Sequence, residues 1–250
     1  MASTSETGHA KNVANFEDLI SFCTAYGTAY NPSNDHLLIP QLQTLHHDAK
    51  IMLQTVKTNK TAFDNATNAR EIACAPLKKL STRIVNALAS TNAAKQTIDD
   101  AITINHKIQG KRSDNSKNET DTELPPSADT TPEGKKISVS QQSYDRLIDN
   151  FSKLIVLLTG EPLYTPNESD LNVAALNTRF TNLETLNTAA IDRTTAYSNA
   201  LIARNTLMYQ PTLGLVDIAL SVKKYVKSVF EASSPQYKQI SKIQFKNIRK

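Results

Sequence analysis

The chain of 250 residues states much of itself twice. Tyr30, Pro32, Leu37, Leu42, Thr44, Thr61, Ala62, Asn65, Ala66, Ala69 and Arg70 recur in the same order as Tyr164, Pro166, Leu171, Leu176, Thr178, Thr195, Ala196, Asn199, Ala200, Ala203 and Arg204, each 134 positions later. Self-similarity at a fixed offset constrains a fold more than composition does, because one supersecondary pattern has to serve at two places. It also sorts roles. A residue type kept in both copies is expected to serve the shared scaffold, and one present in a single copy is free for another task.

The pattern that repeats is helical. Phe16, Leu19, Ile20 and Cys23 in the first copy, and Leu147, Phe151, Leu154, Ile155 and Leu158 in the second, fall in steps of three and four, which place them on one helix face. Each of these helices stops at a Pro-containing turn, Tyr30 to Asn34 and Tyr164 to Glu168, where proline fixes φ and asparagine tolerates turn geometry. A long helix follows. Leu42, Leu45, Ala49, Met52, Val56, Asn59, Phe63, Ala66 and Arg70 make a heptad seam, matched by Leu176, Leu183, Leu186, Ala190, Arg193, Tyr197, Ala200 and Arg204. Pro76 and Pro211 set its expected end, since a helix usually stops ahead of a proline. A third helix carries Leu77, Leu80, Ile84, Val85 and Leu88, or Leu215, Ile218, Ala219, Val222, Val226 and Val229. A shorter element closes each copy, and Ser234-Pro235 is a start signal for the second, an N-cap followed by proline at N1. With only six Gly to supply turns and bulges, and no Trp, the expected fold is all-α.

Between the copies, Lys111 to Ser138 is rich in Ser, Asp, Glu, Thr and Lys and almost devoid of large apolar residues, so it cannot bury enough surface to offset its ordering entropy. The expected organisation is a disordered N-terminus over 1–12, a helical repeat over 13–110, a flexible polar linker over 111–138, and a second repeat over 139–250 with a basic C-terminal segment. Each repeat is expected to be a helical hairpin with smaller helices packed on it. No apolar run approaches the roughly 18 residues of a membrane span, and residues 1–11 lack the apolar core of a signal peptide. A cytoplasmic location is the expectation. Cys23 and Cys74 align with Leu158 and Met208, which makes them buried, reduced thiols.

The residues that could carry chemistry are few. His46 and His47 are adjacent and point about 100° apart on a helix, so they cannot share one ion. No Cys-x-x-Cys, no His-x-x-x-His and no glycine-rich phosphate loop is present. No nucleophile–base set can be assembled, and no metal, cofactor or catalytic residue is expected. Asn65 and Asn199 are candidates for polar register residues inside the hairpin. Arg70 and Arg204, one turn on, are candidates for complementing the helix dipole or binding a nearby carboxylate. The one asymmetric feature is charge. Between residues 223 and 250 stand Lys223, Lys224, Lys227, Lys238, Lys242, Lys246, Arg249 and Lys250 against the single acid Glu231, with Tyr225, Phe230, Tyr237 and Phe245 interleaved. Basic residues with aromatics can hold phosphates and stack on bases. The competing reading makes the aromatics core and the lysines a solvated face.

Ile137 to Asp145 (ISVSQQSYD), Asn150 to Ile155, Val226 to Phe230 and Ser233 to Ile240 resemble a family of uncharacterised, duplicated helical proteins of Bacteroidetes. The resemblance covers both copies and the polar segment between them. It implies a duplicated helical protein and carries no catalytic residue. The expected function is non-enzymatic: a structural or interaction protein that associates with itself or another protein through repeat surfaces. The alternative is a nucleic-acid-binding module using the basic C-terminal segment.

Overall fold

The computed structural model describes residues 4–110 and 143–248. The described chain is all-helical: α1 (Thr4–Ala25), α2 (Ile39–Cys74), α3 (Leu77–Ala89), α4 (Lys95–Gln109), α5 (Tyr144–Thr159), α6 (Val173–Tyr209), α7 (Leu215–Phe230) and α8 (Pro235–Ser241), with two short 3-10 turns between α1 and α2 and no strand among the described residues. No helix is long and apolar enough to cross a membrane among these residues. The segment 111–138, expected to be a flexible linker, lies outside the described residues, as do Arg249 and Lys250.

The long helices begin at Ile39 and Val173, the same 134 positions apart as the repeated residues, and run for 36 and 37 residues. Their seams are the less exposed face: Leu42, Ala49 and Val56 on α2, and Leu176, Leu183, Ala190 and Ala200 on α6, are buried. The exposed faces are mostly polar, but Ile51 and Ile72 on α2 and Ile191 and Ile202 on α6 stand among them. Gly214 caps α7 hard against the end of α6. A Cβ there would stand 2.6 Å from the Gln210 amide nitrogen, so no other residue fits this turn.

The helices cluster into two compact units, and the units do not follow the two sequence copies. Unit 1 comprises Met1–Asn65 and Asp192–Lys250, and unit 2 comprises Ala66–Ile191. In unit 1, Phe16, Leu19 and Cys23 of α1 share a core with Leu215, Ile218, Val222 and Val226 of α7 and Ile240 of α8. In unit 2, Phe151, Leu154, Ile155 and Leu158 of α5 share a core with Leu77, Leu80, Ile84 and Leu88 of α3 and Ala101 and Ile108 of α4. The first helix of each copy therefore packs on the last helices of the other. The expected units 13–110 and 139–250 are composed differently from these two cores. Periodicity shows which face of a helix is apolar, and says nothing about which helix covers it.

The N-terminus also differs from expectation. Residues expected to be disordered up to position 12 are helical from Thr4, because His9 and Asn12 are buried, at 1% and 2% exposure. The Asn12 side chain donates to the Lys246 carbonyl at 2.8 Å and accepts from the Lys246 amide at 3.1 Å. The Tyr209 hydroxyl lies 2.6 Å from His9 Nδ1. A polar composition made this stretch resemble a tail, whereas its few buried polar groups are satisfied by partners some 200 residues away.

Candidate functional site

Of the eight basic C-terminal residues, six are described, and they divide. The Lys223 ammonium is drawn inward and donates to the carbonyls of Ser241 and Ile243, both at 2.9 Å; burial lowers its pKa. It ties α7 to the end of α8 and the chain just after it, and is committed to structure. Lys224, Lys227, Lys238, Lys242 and Lys246 are exposed, and among the described residues none of them forms a salt bridge. Lys227 lies over the Tyr237 ring at 5.9 Å.

The interleaved aromatics are taken up by packing. Tyr225 meets Tyr30 edge-on at 5.3 Å, Phe230 meets Tyr26 at 5.2 Å, Phe245 meets Phe16 edge-on at 6.4 Å, and Tyr237 packs against the unit 1 core. All four rings are half-buried, and their contacts with other rings and the core take up faces that a nucleobase would stack on. What remains is five exposed lysines on α7, α8 and the segment after it, a charge that can neutralise anionic groups without reading them.

The residues shared by the copies occupy different surroundings. Asn65 and Asn199 are exposed, so neither is the buried register residue the seam suggested. A seven-residue count places them beside the seam but does not show which seam positions a neighbouring helix covers. Arg70 stacks over the Tyr144 ring at 4.1 Å and donates to Asn187 Oδ1 at 3.1 Å, while Asn187 donates to Asp145 Oδ1 at 2.8 Å. Its Nε is buried without a hydrogen-bond partner. Arg204 is 6% exposed and donates to Asn205 Oδ1 at 2.9 Å. α2 continues to Cys74 and α6 to Tyr209, so neither arginine lies in the last turn, where a dipole role would place it. Among the described residues, Arg70 reaches a carboxylate, that of Asp145, through Asn187.

His46 approaches Glu17 at 3.6 Å, and burial lowers its pKa. Among the described residues no group of three or more His, Cys, Asp and Glu side chains is placed to hold a metal ion. Cys23 and Cys74 are buried free thiols, and burial pushes the Cys23 thiol up to about 12, partly offset by contact with the Tyr30 hydroxyl. Such a thiol is inert as a nucleophile at neutral pH.

Two features were missed in the sequence. The first is what the repeated tyrosine does: Tyr30 donates to the Leu37 carbonyl at 2.7 Å, and Tyr164 donates to the Leu171 carbonyl at 2.9 Å. All four residues are buried, and the bond closes the turn that leads into each long helix. The second is a cavity of about 560 Å³ in unit 2, with Tyr164 and Leu171 among its apolar lining and Arg83, Asn86, Ser90 and Asn167 among its polar lining. Arg83 makes a two-point contact with Asp170, which holds that carboxyl below its ordinary value. Aligning the third helices by their own burial pattern, rather than by the offset of the long ones, would have pointed to this cavity.

No family model, no curated protein and no solved structure matches the chain. Its function is therefore read from its own geometry.

Proposed function

We propose that this is a non-enzymatic helical interaction protein that works by association, in the first place with further copies of itself. The observation that supports this most is apolar surface on the long helices: Ile51 and Ile72 on α2, and Ile191 and Ile202 on α6, are 50–74% exposed. Single exposed apolar residues are ordinary. Four β-branched residues exposed on two helices that already bury a separate apolar seam are less so, and such residues are the anchors by which helical surfaces pair. The exchange of helices between the copies adds a second route. Cores assembled from distant parts of one chain can also be assembled from two chains, which is the basis of domain swapping.

Association with an anionic partner through Lys224, Lys227, Lys238, Lys242 and Lys246 is the second reading, supported by their exposure. It predicts binding that is insensitive to base identity and falls steeply with salt.

Sedimentation velocity over a wide concentration range tests the first reading. Mass is expected to rise above 27.5 kDa with concentration, and the Ile72→Lys/Ile202→Lys double variant is expected to shift that rise to at least about tenfold higher concentration, the equivalent of losing one well-packed apolar contact. A wild-type chain that stays monomeric at every concentration would sink self-association and leave the lysine surface as the lead.

A further inference from the structure

The two units answer the same packing problem differently at one place. α3 and α7 can be registered by burial, since Leu77, Leu80, Ser81, Ile84 and Leu88 are buried at the same steps as Leu215, Ile218, Ala219, Val222 and Val226. In that register Ala87 of unit 2 stands where unit 1 has Tyr225. The partner turn registers too: the Tyr30 amide donates to Gly27 O and the Tyr164 amide to Glu161 O, both at 3.1 Å, 134 positions apart.

In unit 1 the Tyr225 ring stands edge-on to Tyr30 at 5.3 Å, and its hydroxyl accepts from the Asn31 amide at 3.1 Å. Pro32 there is buried. In unit 2 the alanine leaves that room open. The cavity of about 560 Å³ lies at this place, lined by Ala87, Tyr164, Thr165 and Pro166. Pro166, the counterpart of Pro32, is only half-buried, and Leu163 on the rim is 49% exposed. The Thr165 amide, counterpart of Asn31, turns instead to the Leu163 carbonyl two residues back, a tight contact that a better acceptor can replace.

We propose that the cavity beside Ala87 binds a para-substituted phenol, its ring set against Tyr164 as Tyr225 is set against Tyr30 and its hydroxyl accepting from the Thr165 amide. The volume is within the range of about 300–1,000 Å³ typical of small-molecule sites. It exceeds what one ring fills, which leaves room for the group that carries the phenol. A tyrosine of a peptide and a free small phenol share this chemistry. The site does not depend on self-association, and it exists because unit 2 has an alanine where unit 1 has a tyrosine.

The test is an amide-resolved NMR titration of the full-length protein with p-cresol, the tyrosine side chain alone. Saturable shifts are expected at Ala87, Leu163 and Thr165. Toluene, which lacks the hydroxyl, should bind about fivefold more weakly, the worth of one hydrogen bond. Ala87→Tyr fills the site from within and should abolish the shifts. Tyr225→Ala opens the matching site in unit 1, so p-cresol should then also shift Tyr30 and Asn31. N-acetyltyrosinamide binding more tightly than p-cresol assigns the site to a peptide tyrosine, and weaker binding assigns it to a free phenol. No shift in the wild-type protein up to the solubility of p-cresol overturns the proposal, as does equal binding to a folded Ala87→Tyr variant.

Discussion

Tyr30 and Tyr164 show at the scale of one residue that positions 134 apart can do the same job. Each is buried, and each gives its hydroxyl proton to a carbonyl seven residues on. Removing the hydroxyl leaves that carbonyl buried and unsatisfied, which costs about 1–3 kcal/mol. Tyr30→Phe and Tyr164→Phe should therefore both destabilise by that amount, and by amounts within about 0.5 kcal/mol of each other, in urea titrations. One variant neutral and the other costly would refute a shared scaffold role. The Cys23 thiol adds a pH dependence. Its folded pKa of about 12 lies above the ordinary 9.0, so above pH 9 the unfolded chain releases its proton first and stability falls from pH 9 towards 12. Burial raises Tyr30 in the same direction. Cys23→Ala should flatten the early part of that decline, as read from urea midpoints between pH 8 and 11; an unchanged profile would show that the thiol is not what titrates.

At the scale of the element, most of the helical structure was legible. Steps of three and four identified Phe16, Leu19, Ile20 and Cys23 as one face of α1, and all four are buried. Ser234-Pro235 marked the start of α8, where the serine side chain accepts from the Tyr237 amide at 3.1 Å. What could not be read was any element held by partners far away in sequence. The start of α1 belongs here, since Asn12 is satisfied by the backbone of Lys246. Asn12→Ala should cost about 1–3 kcal/mol by stranding those two backbone groups, and should speed hydrogen exchange of the amides over 242–248. Asn15, which bonds Gln244 O from an exposed position, should have less effect when changed to Ala. Equal exchange in wild type and Asn12→Ala would mean that α1 does not anchor the C-terminal segment. The basic C-terminal segment was likewise half legible. The charges could be counted, but the commitment of Lys223 and of four aromatic rings to packing depends on which helices meet.

At the scale of the molecule, the recurrence of residues at an offset of 134 could be read and the pairing of the helices that carry them could not. Both copies present the same apolar faces, so α1 could cover α3 of its own copy or α7 of the other with similar chemistry. Sequence periodicity is identical for the two choices. The cores show the second choice, α1 with α7 and α8 in unit 1, and α5 with α3 and α4 in unit 2. Exchange also explains how Ala87 comes to line a cavity with Tyr164 while Tyr225 packs on Tyr30. A protease site introduced within 111–138 tests this arrangement most directly, with the nicked protein examined by sedimentation velocity at low concentration in native buffer. Because each core takes helices from both sides of the cut, the two fragments are expected to stay together and sediment as one particle with the mass of the intact chain. Two separate species of roughly half that mass would contradict the exchange of helices and restore independent tandem repeats.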